Sequence, residues 1–215
     1  MSRAELVEPF DEQPRLQELF GLSSSDLQDV IAQGFLGRTG CTSHHPKTYP
    51  GLAQWADTVR ALRDKTVPLG WTTTDDNNFP LSIHPSKTQS IAVQTGDRDT
   101  GITGGNPANR AAKGTNTEEA VAINQRQLTL FDNLPDSRPS SEGGAIMWVL
   151  LYHVAPNEIR YELSLPMQMV GGKISSWQER IVFPAIQIDL TDISLGDTND
   201  HGPELEVPIQ RRGRT

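Results

Sequence analysis

The residues of this chain best suited to chemistry fall into small, separate groups. Cys41, His44 and His45 lie together in the run TGCTSHHPKTYPG. A tetrahedral metal site takes four ligands at stereotyped spacing. No second cysteine or matching histidine pair completes one here, so the group reads as a polar turn between helices. Asp75 with Asp76, and Asp97 with Asp99, are carboxylates of the kind that hold metal ions for phosphodiester cleavage. Sites of that type usually add a Glu-x-Lys on a nearby strand, and Glu158 and Glu162 have no lysine beside them. Lys113-Gly114-Thr115 has the residue types of a phosphate-binding loop, but a Walker A loop needs the glycine before the lysine. No complete catalytic set, metal site or cofactor site emerges. The expectation leans toward a non-enzymatic protein.

One further group suits recognition rather than catalysis. Gln127, Leu128, Thr129, Leu130 and Phe131 spell QLTLF. A short peptide binds a partner by setting a few apolar anchors into preformed pockets, with polar groups fixing the register. The pentapeptide resembles the motif by which bacterial DNA polymerases and repair factors dock onto the replicative sliding clamp. The resemblance covers five residues and differs from Gln-Leu-Ser/Asp-Leu-Phe only at the tolerant third position. It implies that Leu130 and Phe131 fill a deep subsite, Leu128 a shallower one, and that the Gln127 amide bonds at the rim. The competing reading makes the same letters a short strand with Leu128 and Leu130 inward.

Composition bounds the partners. The chain has 215 residues, a formal net charge of -8, 35% hydrophobic and 21% charged residues, which is a core diluted by loops. Its pI is near 5.1. DNA phosphates are gripped by clustered Lys and Arg, so direct nucleic-acid binding is not expected and any DNA connection runs through a protein partner. No apolar run approaches the ~20 residues of a membrane span, and the first residues lack the apolar core of a signal peptide. The single cysteine leaves no intrachain disulfide, which fits a reducing compartment. Cytoplasmic is the expectation.

Periodicity then supplies the elements that must position these groups. Asp11 caps a helix ending at Phe20, with Gly21 as its stop. Ser25 with Gln28 makes a capping-box pattern for a second helix, with Leu27, Val30 and Ile31 on one face and Gly34 as its stop. Leu52, Trp55, Val59 and Leu62 recur at helical spacing across residues 52–65. Residues 79–84 and 89–95 read as a hairpin. Residues 145–154 are almost continuously apolar, a central strand buried on both faces. In 158–165, Ile159, Tyr161, Leu163 and Leu165 face one way, and Arg160, Glu162 and Ser164 the other. A further strand spans 174–183.

The expected fold is α+β, with N-terminal helices packed on one face of an antiparallel β meander and a long Gly-rich internal loop. Residues 1–95 and 145–188 form the domain. Residues 96–144 form a flexible arm carrying QLTLF, with Thr115 and Glu118 capping a helix to about Arg126. Residues 189–215 form an acidic extended tail. The leading functional expectation is an adaptor or modulator of the sliding clamp, of bacterial, plasmid or phage-related type. The alternative is an enzyme or small-ligand binder whose site lies where loop 96–115 crosses the sheet edge, since loops on rigid scaffolds carry function. A third is a subunit of a defence or mobile-element complex with QLTLF as a core strand.

Overall fold

The computed structural model describes residues 5–7, 12–133 and 144–188. The expected acidic tail and residues 134–143 lie outside them. The fold is α+β: an eight-stranded mixed sheet, mostly antiparallel, with helices on it. The elements are β1 (Glu5–Val7), α1 (Glu12–Phe20), α2 (Ser24–Thr39), α3 (Tyr49–Thr66), β2 (Thr72–Thr74), β3 (Leu81–Ile83), β4 (Gln89–Thr95), α4 (Thr115–Asn133), β5 (Ile146–Val154), β6 (Glu158–Val170), β7 (Lys173–Val182) and β8 (Ile186–Gln187). The strand order is β1-β7-β6-β5-β4-β3-β2, with β8 also paired to β6.

The apolar run of β5 is buried on both sides because the sheet has cover on both faces. Ile146, Trp148, Leu150 and Tyr152 point into one cluster with Leu16 and Phe20 of α1, Leu27, Val30 and Ile31 of α2 and Leu62 of α3. Met147, Val149 and Leu151 alternate into a second cluster with Ala92, Ile174, Trp177 and Val121 of α4. Period-two alternation explains this division. It also corrects the expectation of helices on one face only, since α4 covers the other.

β5, β6 and β7 form the antiparallel meander expected from the sequence. β4, however, joins β5 in parallel, with Val93 opposite Leu150 and Thr95 opposite Tyr152. A parallel pair needs a long crossover, and residues 96–133 supply it. Those residues belong to the domain, which corrects the expected flexible arm over that span.

Three local expectations shift for physical reasons. The capping box of α2 is Ser23 with Asp26, not Ser25 with Gln28: Asp26 N–H donates to Ser23 Oγ, and Ser23 N–H donates to Asp26 Oδ2. Gly34 does not end α2; it is buried inside the helix where α3 crosses. The α4 helix does not end near Arg126 but runs through the whole pentapeptide to Asn133.

Candidate functional site

β3 pairs with β4 only through Ser82 opposite Ile91 and Ile83 opposite Ser90. The upper half of β4 therefore outruns its neighbour on that side. The indole N–H of Trp55 in α3 donates to Val93 O at 3.1 Å, taking one of the strand's exposed acceptors. Beside this edge, at the carboxyl ends of the parallel strands β4 and β5, a crevice of about 760 Å³ opens. Crevices at that end of parallel strands are the usual ligand sites of α/β sheets, and the volume falls in the range of small-molecule pockets.

Five segments line it: the end of α2 (Arg38), the first turns of α3 (Thr48, Leu52, Gln54, Trp55), the turn before β3 (Asn78, Phe79, Pro80), β4 and the residues after it (92–98), and the carboxyl end of β5 (Tyr152, His153, Val154). Arg110, Lys113 and Thr117, at the entry to α4, close the remaining side. The lining holds four permanent cations, Arg38, Arg98, Arg110 and Lys113, against one carboxylate, Asp97. In a chain of net charge -8 this is a local reversal of sign. The N-terminal turns of α3 and α4 both reach the crevice, and helix N-termini carry partial positive charge.

Two buried carboxamides border this space from opposite faces of the sheet, Gln54 from α3 and Gln94 from the α4 side of β4. Gln54 is 1% exposed and Gln94 is 3% exposed. Gln54 Nε2 and Gln94 Oε1 have no hydrogen-bond partner among the described residues. Leaving buried polar atoms unpaired costs roughly 1–3 kcal/mol each, so their place in the lining is informative. His153 is half-buried, with Nδ1 3.4 Å from Gly96 O. Burial pushes its imidazole below the usual range, with Arg110 and Arg160 adding to the effect, while Gly96 O and Asp97 act the other way. The net effect favours the neutral imidazole.

The glycine-rich loop is held in place from beneath by a buried ion pair. Glu162 of β6 and Arg180 of β7 meet at 2.6 and 3.0 Å, with side chains 0% and 5% exposed. Arg180 also donates to Gly105 O and Ile102 O, and Glu162 Oε2 accepts the Gly101 N–H at 2.8 Å. Gly101 has φ +70, and a Cβ there would meet Arg160 Cβ at 2.8 Å, so the close approach needs glycine. Further along, Asn109 is fully buried; it donates to Gly172 O and accepts from Ile174 N–H. Trp177 Nε1 donates to Pro107 O, and Lys173 Nζ to Asn109 O and Arg110 O. Gly96 and Asn109 pair as an antiparallel bridge. These bonds carry Arg98, Arg110 and Lys113 to the crevice.

The sequence-derived docking residues lie elsewhere. Gln127 is 7% exposed and donates from Nε2 to Gly144 O at 2.6 Å. Leu128 is half-buried against the larger core cluster. Leu130 and Phe131 are in the last turns of α4, and their side chains lie outside the described part. The pentapeptide is helical, which departs from both the extended docking peptide and the core strand expected from sequence. Cys41 donates to Gly37 O, and His45 caps Thr42 N–H, as a polar turn would. Among the described residues no group of three His, Cys, Asp or Glu is placed to hold a metal ion, and no helix is long and apolar enough to cross a membrane.

Sequence reasoning placed an alternative site near loop 96–115, and Asp97, Arg98, Arg110 and Lys113 come from that loop. It missed Gln54, Gln94, Arg38 and His153. The signal for Gln94 was a polar residue closing the apolar run Ile91-Ala92-Val93 in a strand. No protein-family model, curated protein or solved structure matches this chain.

Proposed function

We propose that this protein binds a small anionic ligand in the crevice at the carboxyl ends of β4 and β5. The observation that carries this reading is the charge reversal of the lining: four cations against one carboxylate in an acidic chain. An anion there gains from charges held by a crossover tied to the sheet, so little ordering cost falls on binding. The two helix N-termini add partial positive charge on the same side. The test is thermal unfolding with inorganic pyrophosphate. A ligand that binds only the folded state at a hundred times its Kd stabilises by about 2.7 kcal/mol. The melting temperature should rise with pyrophosphate, and the rise should shrink in Arg98→Glu. No rise at millimolar pyrophosphate refutes the reading.

A second reading keeps the sliding clamp as partner, on the strength of the QLTLF match at the end of a helix, where fraying is easiest. Docking as an extended peptide requires Gln127 to leave Gly144 O and Leu128 to leave the core. On this reading a synthetic peptide of residues 124–133 binds a bacterial sliding clamp at micromolar strength, and the intact protein binds more weakly. A peptide that fails to displace a fluorescent clamp-binding probe at millimolar concentration removes this reading.

A further inference from the structure

We infer that the crevice is the docking site of this chain's own acidic segment, residues 189–206, which competes there with the anionic ligand. The inference rests on the anion-binding reading above and goes beyond it, to what regulates the site.

The path of the chain brings that segment to the crevice. Val154, at the end of β5, lines the crevice and lies opposite Ile159 of β6. Ile159 lies in turn opposite Ile186 of β8, and the Ile188 N–H donates to Asn157 O in the turn between β5 and β6. β6 runs antiparallel to both β5 and β8, so β8 points the same way as β5 and its parallel neighbour β4. The described chain therefore leaves the sheet at the carboxyl ends of β4 and β5, where the crevice opens. Three strand spacings of about 4.8 Å separate β8 from β4. A chain advancing up to about 3.3 Å per residue covers that distance in about five residues. Every acid from Asp197 onward is within reach of the lining.

Charge complementarity selects the occupant. Residues 189–206 hold six carboxylates, Asp189, Asp192, Asp197, Asp200, Glu204 and Glu206, and no Lys or Arg. The crevice has the opposite balance. Its cations are also spread out: Arg38 comes from the end of α2 on one face of the sheet, and Arg110 and Lys113 lead into α4 on the other. A compact anion meets part of that array, whereas an acidic chain passing across the strand ends meets all of it. Leu52, in the lining, is 54% exposed. Leu190, Ile193, Leu195 and Leu205 of the segment supply apolar side chains to cover such a surface. Single ion pairs at a surface contribute little. The covalent connection compensates, because a short one gives an effective concentration in the millimolar range, which fills a site of about 0.1 mM affinity.

The experiment compares the full chain with a full-length variant carrying Asp189→Asn, Asp192→Asn, Asp197→Asn, Asp200→Asn, Glu204→Gln and Glu206→Gln. In isothermal titration, inorganic pyrophosphate should bind the variant roughly tenfold more tightly, because its intramolecular competitor is gone. The second measurement is carbodiimide cross-linking of the unaltered chain, which joins a carboxyl to a lysine amine as an amide while the reagent takes up the water released. Cross-links from residues 189–206, mapped by mass spectrometry in the monomer, should favour Lys113 in the crevice. They should be rarer at Lys87, which is exposed in the turn between β3 and β4, at the other end of β4. Three results overturn the docking and leave the anion site standing: equal pyrophosphate affinity for the two chains, cross-links no more frequent at Lys113 than at Lys87, or cross-links confined to covalent dimers. Pyrophosphate binding to neither chain overturns the anion-binding reading and the docking with it.

Discussion

The Glu162–Arg180 pair lies under the glycine-rich loop with almost no contact with water. Desolvating two charges is costly, and removing one partner leaves the other uncompensated, which typically costs about 3–5 kcal/mol. Ser164 Oγ, the Gly101 N–H and the carbonyls of Ile102 and Gly105 saturate what the pair leaves over. Arg180→Ala should therefore lower stability by roughly that amount in urea denaturation, and it should weaken pyrophosphate binding because the loop carries Arg98 and Arg110. A loss below about 1 kcal/mol would show that the pair is solvated. His153 gives a second residue-level test. Its imidazole titrates near 6.5 in an unfolded chain and lower in the fold, chiefly through burial. Between those values the unfolded chain holds more protons, so stability rises with pH there, is fully present above about 6.5, and is lost as pH falls through the folded value. His153→Gln should flatten that slope in stability measured from pH 5 to 7.5. His84, lowered by burial as well, retains its own share in the variant.

Elements were legible wherever the pattern is local. The apolar run of β5 and the alternation of Ile159, Tyr161, Leu163 and Leu165 in β6 gave the central strands, because burial on a sheet has a period of two. Glycine often ends helices, which makes Gly34 look like a stop in the sequence, yet α2 continues past it to Thr39. Its role comes from α3, which no local pattern contains: a Cβ at position 34 would meet Thr58 Oγ1 at 1.9 Å and Thr58 Cβ at 2.9 Å. Helix propensity alone favours Gly34→Ala by about 1 kcal/mol. The contact decides the sign, since over-packing costs about 1–3 kcal/mol. Gly34→Ala should destabilise the protein in denaturant titration, and any stabilisation would mean that α2 and α3 do not pack this closely. The end of α4 escaped for a related reason. Asn124 donates to Met147 O and Pro166 O and accepts the Met147 N–H, which holds the helix where Pro166 disrupts the β6 ladder.

At the scale of the molecule, the crossover decides whether 96–133 is a tether or a structural part. Its composition resembles a tether, with five glycines in residues 96–115 and Ile102 as the one large apolar side chain. What fixes it are polar bonds from partners far along the chain: Lys173, Trp177 and Arg180 reach Asn109, Pro107 and Gly105. Such pairings have no short-range signature, and for that reason the cationic crevice was only partly visible in the sequence. The consequence is energetic. A segment held by a buried ion pair, a buried asparagine and a helix packed on the sheet opens only when the sheet does, whereas a tether opens nearly freely. Native-state hydrogen exchange separates the two. The amides of Gly101, Asp97 and Arg110, bonded to Glu162 Oε2, Ala108 O and Thr95 O, should exchange with opening energies close to those of the β5 amides. Arg180→Ala should lower protection of Gly101 more than that of Val149, since the ion pair orders the loop before it orders the sheet. Exchange of all three loop amides at rates near those of an unstructured peptide would return residues 96–115 to the status of an arm, and with it the cations would lose the rigid placement on which anion binding depends.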